Sequence, residues 1–109
     1  IEVCNACNVS ANVYFKEIEF LPGAIDLVNE GIMPGGSKRN LDHVENFTTF
    51  SSKLSFNQKL LVCDAQTSGG LLISLPPKDA KKFITHFGEK AKIIGEIQPR
   101  KIKPITVKF

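Results

Sequence analysis

A chain of 109 residues with 42% hydrophobic and 23% charged side chains has the composition of an ordinary globular domain, which excludes a disordered tail or two independent cores. Its formal charge of +3 is small, tryptophan is absent and there is one tyrosine, so the aromatic-basic interleaving of a nucleic-acid binder is missing and no nucleic-acid partner is expected. No apolar run reaches the roughly 18 residues of a membrane span and no secretory signal is present, so no membrane partner is expected and the expected location is cytoplasmic.

The opening "IEVCNACN" reads as the last turns of a helix, with Cys4 and Cys7 one turn apart as small buried side chains and Asn8 as the stop. The chain starts at Ile1, inside what reads as an element; residues 1–8 are therefore read as the tail of a truncated helix, and residues 1–109 as a single C-terminal domain of a longer protein. Three cysteines without a secretory signal argue against a disulfide framework, and one CxxC, with Cys63, His43 and His86 scattered elsewhere, lacks zinc-ligand spacing.

"SANVYFKEIEF" alternates, with Ala11, Val13 and Phe15 on one side and Asn12, Tyr14 and Lys16 on the other, which predicts a half-buried strand. "LPGAIDLVNEG" predicts a short helix with Pro22 near its first turn and Gly31 as its stop. "IMPGGSKRN", with Pro34, Gly35 and Gly36 ahead of a crowd of donors, predicts a loop. Residues 41–52 offer a helical turn at Leu41 to Glu45 and a β-prone "NFTTF".

"LSFNQKLLVCD" has apolar residues at helical intervals and Ser55 as N-cap. "LLISL", Leu71 to Leu75, reads as a buried core strand, and "PPKDAKKFITHFG" as a helix with Pro77 at its start and Ala80, Phe83, Ile84 and Phe87 facing inward. "AKIIGEI" and "IKPITVKF" add two β segments. In the tail, Arg100, Lys101, Lys103 and Lys108 alternate with Ile, Thr and Val in the manner of an edge strand guarded by lysines. Together these elements predict a single α+β domain, its helices packed on a mixed, largely antiparallel sheet.

Two stretches carry candidate chemistry. "DAQTSGG" sets Asp64, Gln66, Thr67 and Ser68 beside Gly69 and Gly70, which free the backbone to approach an anion. It lacks the Walker lysine and precedes a predicted strand, so a side-chain-bonded turn outweighs a phosphate loop. "MPGGSKRN" places Lys38 and Arg39 beside glycines, as a phosphate or carboxylate site or as a solvated basic loop. The candidate phosphate- or substrate-binding residues are thus Lys38, Arg39, Thr67, Ser68, Gly69 and Gly70. His43 and His86 lack a paired nucleophile, "QTSGG" lacks the glycine of a hydrolase elbow, and Asp26, Glu30, Asp42 and Glu45 have the spacing of exposed acids, so no catalytic residue and no metal ligand are assigned.

With these segments in view, the chain resembles the selenophosphate synthetases, also called selenide, water dikinases. "LPGAIDLVNEGIMPGGSKRN" is similar to that family's "LPGA…GI.PGG(T/S).RN" signature, and "LLVCDAQTSGGLLISLP" to its "LL.DPQTSGGLL" signature. The resemblance covers almost the whole chain, with Ala65 standing where proline is common. It implies the C-terminal domain of an aminoimidazole ribonucleotide synthetase-like enzyme, usually a homodimer, whose N-terminal domain binds ATP. It further implies a parent that uses ATP and magnesium to convert selenide to selenophosphate, with AMP and orthophosphate as the other products. The family's reactive cysteine or selenocysteine, its lysine, its glycine-rich segment and its magnesium-binding aspartates belong upstream, and none of those motifs is in this chain. The implied role of the chain is structural support and part of the cleft wall, with a phosphate-binding module or a dimerisation domain as the alternatives. No cofactor is expected to be held by the chain itself.

Overall fold

A computed structural model describes all 109 residues. Five α-helices and four strands follow in the order α1 (Glu2–Ala6), β1 (Val9–Tyr14), α2 (Ala24–Asn29), α3 (Gly35–Val44), β2 (Thr48–Phe50), α4 (Phe56–Val62), α5 (Pro77–Phe87), β3 (Gly95–Pro99) and β4 (Ile105–Lys108). The strands form one sheet in the order β2-β4-β1-β3.

The α+β class and the mixed sheet are as expected, but the antiparallel share is smaller. Only β1 and β3 pair antiparallel; β4 runs parallel to both β1 and β2. Long helical connections, not hairpins, separate most of the strands, and such crossovers permit parallel neighbours. The basic tail is also not an edge: β4 lies between β1 and β2, because Val107 is 2% exposed and belongs to the core. Its lysines sit at the strand's ends, where Lys103 Nζ donates to the carbonyls of Glu45 at 2.6 Å and Thr48 at 3.2 Å.

Register explains which face is buried. Phe50, Val107, Val13 and Gly95 lie in one row across the sheet, and Thr48, Ile105, Ala11 and Ile97 in another row on the same face. Phe15, Leu54 and Val107 form a core cluster there, joined by Val13, Phe50, Val62 and Ile105. A second cluster, Val28, Leu41, Leu60 and Cys63, binds α2, α3 and α4 to one another. On the opposite face the polar row Thr49, Thr106, Asn12 and Glu96 crosses the sheet, and Asn12 Nδ2 donates to Glu96 Oε1 at 3.0 Å. The alternation predicted for β1 holds, yet Ser10 and Asn12 are more buried than Ala11 and Val13. The reason at Ser10 is that the chain after β3 folds across it, and its hydroxyl accepts from Lys101 N at 2.8 Å.

Three local expectations need correction. Residues 35–40 are not a loop but the first turns of α3, with Pro34 in extended conformation as the cap. The two glycines cost about 1 kcal/mol each in a helix interior and less in a first turn, whereas Ser37, Leu41 and Val44 recur on one inward face whose burial outweighs them. Leu71 to Leu75 is not a core strand: it is unpaired, and Leu71 and Leu72 are 92% and 83% exposed. The following helix, α5, buries no residue, so its apolar side does not cover that segment. Finally, Cys4 is buried as expected but Cys7 is exposed. Asn8 does stop α1, with φ of 51°.

Candidate functional site

The two signature stretches meet at the N-terminal half of α3, through residue pairs 27 and 23 positions apart in sequence. Ser37 is 2% exposed, and its Oγ donates to Asp64 Oδ1 at 2.9 Å. One turn later Asn40 Nδ2 donates to the Cys63 carbonyl at 3.0 Å. Between these two bonds the backbones close up: a Cβ added to Gly36 would lie 2.8 Å from Ala65 Cβ. Glycine is therefore required at 36 for the approach of "DAQTSGG" to the helix, rather than for a loop conformation.

Local sequence sets both halves of this junction. Pro34 starts α3 and directs Ser37, Leu41 and Val44 inward, and Leu41 at 1% exposure anchors the helix against α4. In α4, Ser55 Oγ accepts from Gln58 N at 3.2 Å while Gln58 Oε1 accepts from Ser55 N at 2.9 Å, a complete capping box. Leu60, 1% exposed, fixes the other end of α4, so Cys63 and Asp64 leave the helix at a defined place. Burial, and then the Glu45 carboxylate, push the Cys63 thiol above its ordinary 9.0. It therefore stays protonated at neutral pH and is a packing group, not a thiolate nucleophile.

The predicted contact residues are disposed unevenly around this junction. Lys38 and Arg39 lie in the first half of α3, both exposed, and neither makes an ion pair or a side-chain hydrogen bond. A Cβ on Gly35 would lie 3.8 Å from Arg39 Nη1, so the guanidinium folds back over the first turn. Thr67 and Ser68 form an exposed bend, followed by exposed Gly69 and Gly70. Within that bend Gln66 covers Gly69, whose added Cβ would meet Gln66 Oε1 at 2.9 Å. The fold thus joins the two segments but makes no direct bond between the cations and the hydroxyls.

Ser37, Asn40 and Asp64 are the residues that sequence reading undervalued. Ser37 and Asn40 were hidden by the loop assignment, and the i, i+4, i+7 spacing of Ser37, Leu41 and Val44 is the signal that exposes them. Asp64 is expected to bond backbone donors of its own turn, yet its carboxylate accepts from Ser37 in the first turn of α3. A negative group already occupies the positive end of that helix. The cations not engaged in this junction are Lys38 and Arg39, on the exposed side of the same helix.

Beneath the junction lies a cavity of about 150 Å³, lined by Leu27, Val28, Met33, Leu60, Ser37 and Asp64 among others. No three of the His, Cys, Asp and Glu side chains converge in a way that could hold a metal ion. On the polar face of the sheet, hydrogen bonding to Glu96 raises the Tyr14 phenol above its ordinary 10.0. Hydrogen bonding from Tyr14 first and Asn12 second lowers the Glu96 carboxyl below its ordinary 4.5. The 3.0 Å bond from Asn12 to Glu96 links β1 to β3 on this face.

No family profile matches the chain. Among curated proteins it is 38% identical over 108 residues to a selenide, water dikinase of Aliarcobacter butzleri, covering 95% of this chain and 31% of that protein. Against the enzyme of the same name from Clostridium botulinum strain Eklund 17B it is 34% identical over 110 residues, covering 98% and 32%. The Haemophilus ducreyi protein of that name is 40% identical over 82 residues, covering 75% and 23%. The chain spans about a third of the length of the first two relatives. The alignments to those two run through both signature stretches that meet at α3, and along nearly its whole length the chain belongs to the selenide, water dikinase family.

Proposed function

We propose that this chain is the C-terminal, non-catalytic part of an enzyme that transfers phosphoryl from ATP to selenide, giving selenophosphate, AMP and orthophosphate. The observation that carries the reading is the match to selenide, water dikinases over nearly all of this chain and only about a third of theirs. Phosphoryl transfer needs positioned cations and a metal to stabilise charge, and the residues of this chain include neither a convergent metal-ligand group nor a paired nucleophile and base. ATP and magnesium then belong to the remainder of the enzyme, and this part forms a wall of the cleft.

Within that wall, Lys38 and Arg39 with Thr67, Ser68, Gly69 and Gly70 would contact a phosphate group. Support comes from two unpaired cations and two free hydroxyls on segments that the fold brings together. The partner of this part is the ATP-binding portion of the same polypeptide, in a homodimeric, cytoplasmic enzyme. The exposed apolar residues Leu71, Leu72 and Phe87 favour a partner surface on this side. No helix of the chain is long and apolar enough to cross a membrane.

The test is a product assay on the full-length protein that contains this chain. Selenophosphate, AMP and orthophosphate should appear together by phosphorus NMR, dependent on ATP, magnesium and selenide; formation of ADP without selenophosphate would refute the reading. Titration of the 109-residue chain with pyrophosphate and orthophosphate tests the contact residues separately, with shifts expected at Lys38, Arg39, Thr67 and Ser68.

A further inference from the structure

We infer that Ser37, Asn40 and Asp64 are positioning residues, a clamp whose work is to hold the "QTSGG" bend at a fixed place on α3. The inference deepens the proposed phosphate contact and rests on that reading only for its effect on turnover. Three independent features meet in the clamp. The Ser37 hydroxyl is buried and has Asp64 as its acceptor, at 2.9 Å. The Asn40 amide holds the carbonyl of the residue just before Asp64, at 3.0 Å. Gly36 lets Ala65 approach so closely that any side chain there would force the strands of backbone apart.

These contacts fix residues 63 to 65 and nothing beyond. From Gln66 onward the bend has no hydrogen-bonded link to the rest of the protein, only Gln66 packed over Gly69. Where Thr67 and Ser68 sit is therefore determined by the clamp at one end. Asp64 is well suited to this and unsuited to touching phosphate, because its charge would repel the ligand. Its hydrogen bond to Ser37 instead ties that charge to the helix end.

Amide NMR relaxation on the 109-residue chain tests this directly. In Ser37→Ala, order parameters at residues 65–70 should fall toward the flexible range, about 0.6 or lower, while α4 and the sheet keep theirs. Ser37→Thr, which keeps the hydroxyl, should restore the original pattern. If Ser37→Ala fails to fold, Asp64→Ala at the exposed end of the same bond replaces it. Unchanged order parameters at 65–70 in a folded variant overturn the clamp, and so does a uniform fall across the whole chain, which would mark a merely structural role. In the full-length enzyme Asp64→Ala should raise KM for ATP by roughly 5- to 10-fold with a smaller change in kcat. A loss confined to kcat would overturn the positioning role. An inactive wild-type enzyme would instead count against the proposed reaction and leave the relaxation result to decide the clamp.

Discussion

Gly95 shows how much a single residue decides in this fold. A Cβ there would collide with the carbonyl of Asn12, so the register of β3 on β1 depends on glycine at this position. Gly95→Ala should destabilise the chain by about 1–3 kcal/mol, the usual cost of forcing packed backbone apart, read from the urea midpoint. An unchanged midpoint would contradict the register. Next to it, Glu96 makes a pH prediction with a definite sign. Its carboxyl is lowered in the folded chain by Tyr14 and then Asn12, so its contribution is present above the ordinary value of 4.5 and is lost as pH falls through the lower folded value. Glu96→Gln should flatten that part of the stability profile, an effect kept small by exposure to solvent. A profile identical to the parent's would show that the contacts with Tyr14 and Asn12 carry no weight.

At the scale of elements, α4 joins the core to the signature junction. Its capping box and the burial of Leu60 set where Cys63 and Asp64 emerge, and the Lys59 ammonium reaches Glu45 at the end of α3 at 3.9 Å. Ser55→Ala removes one side of the capping box and should cost about 1 kcal/mol by thermal or urea unfolding, with Ser55→Gly costing less. Equal losses for the two variants would mean that the cap is not formed. This helix was legible in the sequence, since Ser55 and the spacing of Phe56, Leu60 and Leu61 are both local signals. The first strand, the short helix closed by Gly31 and the stop at Asn8 were legible for the same reason.

What was not legible depended on neighbours distant in sequence. "PGGSKRN" has loop composition, and only the pocket that receives Ser37 and Leu41 makes it helical; tertiary burial overrides propensity there. "LLISL" has strand composition, and the absence of a pairing edge leaves it exposed. The basic tail looks like an edge by its lysines, yet Val107 draws it between two strands. The candidate contact residues lie on two segments distant in sequence, and the meeting of those segments through Ser37, Asn40 and Asp64 is visible only in three dimensions.

Taken whole, the molecule is a four-stranded sheet with α3 and α4 on one face, a clamp that joins two signature segments, and an apolar margin at Leu71 to Leu75 and α5 that its own core does not cover. On the proposed reading such a body serves as a wall and a docking surface, with the charged machinery of phosphoryl transfer in the rest of the enzyme. The most direct measurement is AMP formation by the purified 109-residue chain supplied with ATP, magnesium and selenide, beside the full-length protein under the same conditions. The account predicts a folded chain that forms no AMP above background while the full-length protein does. Selenide-dependent AMP formation by the chain alone would contradict it.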